Sequence, residues 1–247
     1  MKKKKRKLDK SKLVTNLLLI IFIGVFIYSG YNVFIWLNSD RKTKKLEEGL
    51  YSEVTEDDAT KGNISVDFTK LKSENSDIFA WIRIKDTYIN YPILQGETDE
   101  YYLKKDIYKK YNVAGSIFVD STTNKEFLDD NTVIYGHNMK NQRMFADLYK
   151  IYDGSMGEDI NVEIYTEQEF TNYKVFSAYI VEPNIGIIIK NFKNNDEKQE
   201  YINSVIKKSK IKFDTSSLDY DKGIITLITC NSAAKYRMVV HAAQEIN

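Results

Sequence analysis

Between Leu13 and Leu37 the chain runs for 25 residues without a charged side chain, LVTNLLLIIFIGVFIYSGYNVFIWL. As an α-helix this run is about 37 Å long, against a bilayer hydrocarbon core of about 30 Å. So long a stretch of apolar chain fits a membrane span, where a helix satisfies all of its own backbone hydrogen bonds. A cleavable signal peptide has a shorter apolar core, roughly 7–15 residues, followed by a small-x-small site. This run is longer and closes on Phe34, Ile35 and Trp36, so residues 13–37 are expected to stay in place as a transmembrane anchor.

The twelve residues before the anchor hold eight Lys or Arg and one acid, Asp9. The positive-inside rule keeps residues 1–12 in the cytoplasm as a basic tail, because eight basic groups outweigh Arg41, Lys42, Lys44 and Lys45 on the other flank. The body then lies outside the cell, on a single-pass anchor. Taking the tail from the chain's 36 basic and 35 acidic side chains leaves 28 against 34, so the near-neutral total hides a body of net charge −6. Its basic residues are mixed with acids along the whole length, which excludes a nucleic-acid surface.

Residues 38–66 are charged and poor in large apolar groups, and are expected to form a stalk or a loosely held helix. Residues 67–247 are expected to form one domain. Phe68, Leu71, Ile78 and Trp81 mark a short helical segment passing into extended chain. WIRIKDTYINYPILQ then alternates as strands do, with Pro92 near an edge or strand end. Further strands are expected at 115–120, 131–137, 160–166, 173–181, 223–230 and 236–243, and helices at 144–151 and 196–208. Many short strands with turns between them make the class mainly β, a barrel or sandwich.

One cysteine and two histidines allow a nucleophile–base pair, whereas a four-ligand structural zinc site would need all three and a carboxylate. A secreted domain with one cysteine has no internal disulfide, and an unpaired thiol there is a liability unless it has a use. Cys230 ends the apolar run GIITLITC and His137 ends TVIYGH, so thiol and imidazole both come from strand ends, where they are fixed and reachable. A thiol is a nucleophile as its thiolate, which a neighbouring cation favours. If Cys230 ends one strand and Arg237 begins the next, a hairpin brings the guanidinium to the place where a tetrahedral oxyanion would form. His241 lies four residues beyond Arg237, about 13 Å along the strand, and is expected to be structural or partly exposed.

These residues stand in recognisable surroundings. TLITC (226–230) matches the TLxTC signature of sortases, and RMVVHA after it is similar to their arginine strand. FAWIRIKDTYINYPILQ, YYLK, GSIFVD, NTVIYGHNM and MFADL resemble class B sortases in the same order, so the likeness runs from Asp67 to Ala243. Two departures stand out: Ile228 fills a position where serine is frequent, and the interval from Cys230 to Arg237 is shorter than usual for class B.

The resemblance implies an eight-stranded sortase-type β-barrel, with an amino-terminal helical segment and a helix inserted before the cysteine strand. It implies that Cys230 attacks a backbone carbonyl in the sorting signal of a secreted protein, forming a thioester. His137 serves as acid or base, and Arg237 holds the substrate or oxyanion. Thr229 would line the peptide groove, although a β-branched strand residue needs no such role. An amino group of the peptidoglycan precursor then resolves the thioester and leaves the protein on the wall. No metal or organic cofactor is implied. Two alternatives stay open: a cysteine hydrolase that gives the same thioester to water, and a noncatalytic, membrane-tethered wall-binding module in which Cys230 is simply buried.

Overall fold

The uncharged run is helical throughout, as a chain must be when its backbone has no other partner. It lies within α1 (Lys10–Tyr51). Val14–Ile35 is long and apolar enough to cross a membrane, with a mean hydropathy of 2.2 and no part of it buried against protein. The helix does not stop where the apolar residues stop but continues through the charged stretch to Tyr51, so the expected stalk begins as helix. The computed structural model describes residues 10–51, 54–56, 64–182, 188–230 and 236–246, with Cys230, residues 54–56 and several α1 residues described by their backbone alone. Residues 1–9 of the expected basic tail and residues 231–235 lie outside the described residues. The chain forms two compact units, Met1–Lys45 and Leu46–Asn247.

In the second unit, β1 (Val54–Glu56) and β2 (Ile64–Val66) pair as a small antiparallel sheet. Next comes α2 (Phe68–Glu74), whose first turn is capped by the Asp67 side chain accepting from Lys70 N, and which buries Phe68 and Leu71. Eight strands follow: β3 (Ile78–Arg83), β4 (Asn90–Gln95), β5 (Ile117–Val119), β6 (Asn131–His137), β7 (Asn161–Thr166), β8 (Phe170–Val181), β9 (Leu218–Cys230) and β10 (Arg237–Glu245). They close into a barrel in the order β10-β8-β7-β3-β4-β5-β6-β9, the architecture expected from the sequence. The helices expected at 144–151 and 196–208 are α3 (Leu148–Asp153) and α4 (Asn195–Lys208). Pro92 lies inside β4 opposite Trp81, one residue before pairing with β5 begins at Ile93, so one side of the strand is locally an edge there.

The continuous apolar character of β9 follows from burial on both faces. Ile225 and Leu227 point into the barrel interior with Ile82, Ile134 and Val240. Ile224 and Ile228 alternate to the outer face, where Val133, Val239, Phe176 and the α4 residues Tyr201, Ile202 and Val205 cover them. Asn194 starts α4 by accepting from Glu197 N, and acids in its first turn with lysines in its last complement the helix dipole.

Candidate active site

Six of the eight barrel ladders are antiparallel; β4–β5 and β6–β9 are parallel. Parallel pairing makes β6 and β9 end at the same rim of the barrel, although a long excursion through β7, β8 and α4 separates them in sequence. The register runs from Asn131 opposite Ile224 to His137 opposite Cys230. On the other side of β9, Val239 of β10 faces Ile228, and carrying that register on by two residues brings Arg237 level with Cys230. Adjacent strands lie about 4.8 Å apart, so the three positions form a row about 10 Å wide. By the pleat they belong to the outer face that carries Ile228 and Val239, not to the packed interior.

His137 is half-buried. Its Nε2 lies 2.7 Å from the backbone oxygen of Leu103. A carbonyl only accepts, so Nε2 carries a proton in this arrangement. The strand end is held by Phe145 N donating to His137 O at 2.8 Å and by the bridge between Asn138 and Met144. Gly136 permits this packing: a Cβ there would stand 2.5 Å from Ile117 Cδ1 and 2.7 Å from Phe145 Cδ2.

Arg237 is also half-buried, and its Nε is shielded from solvent with no hydrogen-bond partner among the described residues. Such a donor is costly, on the order of 1–3 kcal/mol, until an acceptor arrives. Thr229 is 1% exposed, and its hydroxyl accepts from Met238 N at 2.9 Å. The side chain therefore ties β9 to β10 beside Arg237 from within the wall.

Residues 82–245 match the sequence model of the sortase domain. Sortase B of Listeria monocytogenes is 35% identical over 234 residues, covering 90% of this chain and 93% of that one. The chain belongs to the sortase family. Among solved structures, Clostridium perfringens sortase B is similar to this sortase with a TM-score of 0.67 and 33% identity, covering 73% of this chain and all of the other. A Staphylococcus aureus sortase B–substrate complex follows at a TM-score of 0.65 and 30% identity, covering 73% and 85%. These relatives are class B, and this sortase is a cysteine transpeptidase of that type.

Two parts of this sortase's rim were not singled out from its sequence. Tyr135, two residues before His137 and on the same face, stacks on Phe118 at 5.4 Å and donates to Asp120 Oδ2 at 3.1 Å. The Lys190 ammonium pairs with the same carboxylate. Asn131 holds the neighbouring segment, its amide donating to Ile189 O at 2.8 Å and its backbone N–H to Lys190 O at 3.0 Å. The strand period would have placed Tyr135 beside His137, but nothing in the sequence pairs Asp120 with Lys190. Leu103 was the other omission; what it contributes is a main-chain oxygen, which any residue has.

His241 is fully buried rather than partly exposed, far along β10 from the row at the rim. With the Asn131 amide donating to Ile189 O, its Oδ1 accepts from Thr226 Oγ1 at 2.6 Å. Thr226 Oγ1 must then accept from His241 Nδ1 at 2.8 Å, and Nε2 receives the Tyr179 hydroxyl at 3.0 Å. The imidazole is neutral: burial, with a lesser contribution from Lys208, pushes its pKa down to about 3.

Proposed function

We propose that this sortase uses Cys230 to cleave a C-terminal sorting signal of secreted proteins and transfers them to an amino group of the peptidoglycan precursor. The parallel register that sets His137 opposite Cys230, the only cysteine in the sequence, carries the proposal. The Cys230 thiolate bonds to the scissile carbonyl carbon, and Arg237 donates to the resulting oxyanion. Collapse breaks the C–N bond; the leaving amine takes a proton from the His137 imidazolium, and a thioester remains. The wall amine, losing a proton to His137, attacks the thioester and expels the thiolate as a new peptide bond forms. The Nε of Arg237, which has no hydrogen-bond partner among the described residues, supports its assignment, since a substrate oxygen would supply an acceptor. Thr229 contributes as a strap between β9 and β10. The substrate-bound S. aureus relative favours a peptide ligand here too.

The same proposal has residues 1–12 as a cytoplasmic tail, 13–37 as the membrane anchor, 38–66 as the connection, and 67–247 as the catalytic part outside the cell. The test incubates the full chain in detergent micelles with a panel of sorting-signal peptides, with and without oligoglycine or diaminopimelate-type amines, and identifies products by mass. Cleavage abolished by Cys230→Ala, with an amine adduct, supports the proposal. Arg237→Lys is expected to lower kcat/KM by about 10²-fold, the loss typical of one oxyanion donor. Products that never incorporate the amine would make the enzyme a hydrolase, and cleavage surviving Cys230→Ala would remove the mechanism.

A further inference from the structure

The carbonyl that meets His137 is held with more care than a surface turn requires. Leu103 N donates to Glu100 O at 3.0 Å, Ser116 N to Tyr102 O at 3.1 Å, and Asn112 N to Lys104 O at 2.9 Å. The Tyr102 side chain beside it is fully buried; its hydroxyl donates to Asp77 Oδ2 at 2.6 Å and accepts from Asn75 Nδ2 at 2.8 Å. Asn75 is the C-cap of α2, and its amide also donates to Ile107 O at 2.7 Å, further along the same segment. Burial, and then the bond to Asp77, push the Tyr102 phenol well above its ordinary range, so it remains a donor.

From the other side, Gly115 sits at φ +60°, and a Cβ there would stand 2.5 Å from Leu103 O and 2.8 Å from Tyr102 O. A side chain at residue 115 would both strain the backbone and push against the oxygen that His137 uses.

We propose that Asn75, Tyr102 and Gly115 are positioning residues for His137: they hold the Leu103 carbonyl at Nε2, which keeps the proton on that nitrogen and fixes the plane of the ring. The short helix α2, outside the barrel, is thereby linked to the rim through Asn75, Tyr102 and one main-chain oxygen. The inference rests on His137 being the acid–base group. Its first readout needs no substrate, so the two can fail separately.

The sequence contains two histidines, which makes a direct test possible. Full-length protein carrying ¹⁵N-histidine, in detergent micelles, would be compared with Tyr102→Phe and Gly115→Ala. At pH 9 an imidazole is neutral, and its two nitrogen shifts report which one holds the proton. The wild type is expected to show His137 as the Nε2–H tautomer and His241 as the Nδ1–H tautomer. In both variants His137 should become a mixture of tautomers while His241 is unchanged and reports an intact barrel. With a cleaved peptide, kcat should fall about tenfold, within the usual reach of acid–base catalysis, and KM by less than about twofold. Should Gly115→Ala fail to fold, Tyr102→Phe carries the test, since it removes one oxygen and keeps the ring. A His137 tautomer unchanged in folded Tyr102→Phe overturns the proposal, and so does a loss of kcat with an unchanged tautomer.

Discussion

Burying His241 as a neutral imidazole makes stability depend on pH in the mildly acidic range. Its pKa is about 3 in the folded chain and close to 6.5 in the unfolded one. Between these values the unfolded state binds a proton that the folded state refuses. The contribution is therefore fully present above pH 6.5 and is lost as pH falls from there toward 3. Integrated from pH 8 to pH 5, one such group shifts the balance toward the unfolded state by about 2 kcal/mol. His241→Gln keeps a donor and an acceptor for Thr226 and Tyr179 but cannot titrate. At pH 8 the variant should be the less stable by about 1–3 kcal/mol, from imperfect hydrogen bonding and lost ring contacts. By pH 5 that gap should narrow by about 2 kcal/mol. The unit Leu46–Asn247 has Trp81 as its sole tryptophan, fully buried and donating to Asn90 Oδ1 at 2.6 Å. Its fluorescence in urea titrations at several pH values would follow unfolding. Groups shared by both proteins, His137 included, cancel in the difference, so parallel stability–pH curves would refute the neutral buried imidazole.

Glu163 should behave with the opposite chemistry and a lower window. Burial opposes its charge, but hydrogen bonds from Arg83, Tyr165 and Lys85 outweigh burial and hold its pKa below the ordinary carboxylate value. Its contribution is present above about pH 4.5 and lost below it, so Glu163→Gln should cost about 3 kcal/mol at pH 7 and less at pH 3, measured by the same titrations. Gly136→Ala should destabilise by about 1–3 kcal/mol through overpacking against Ile117 and Phe145, with a further loss of peptide cleavage as the His137 strand end shifts; an active variant of unchanged midpoint would contradict the packing described.

Much of this was open to inspection in the sequence, for physical reasons that can be named. Most of the barrel strands are rich in β-branched and aromatic residues, and NTVIYGH coincides with β6 because polar segments flank it on both sides. The α4 face at Tyr201, Ile202 and Val205 has helical spacing, and the structure buries that face. Counting along β10 separated His241 from Arg237, but residue type alone could not tell a half-exposed ring from a sealed one. That depended on Phe176, Tyr179 and Tyr201 arriving from β8 and α4. The continuation of α1 past Leu37 was one of two readings the charged stretch allowed: Lys, Leu and Glu are good helix formers, yet a charged, apolar-poor stretch also suits a loose stalk. Least visible was Leu103, whose part is played by an atom common to every residue.

The position of β9 also sets the moment at which the molecule becomes itself. That strand lies between β6 and β10, and with β10 it comes last in the sequence. A chain still being made, halted before Leu218, contains the histidine but neither the thiol nor the guanidinium, and its barrel stands open with β6 and β8 as unpaired edges. Edges of that kind invite pairing with other extended chains. Until β9 and β10 are made the molecule is thus both inert and adhesive, and the closing of the barrel by these two strands, β9 on β6 and β10 on β8, ends both conditions together.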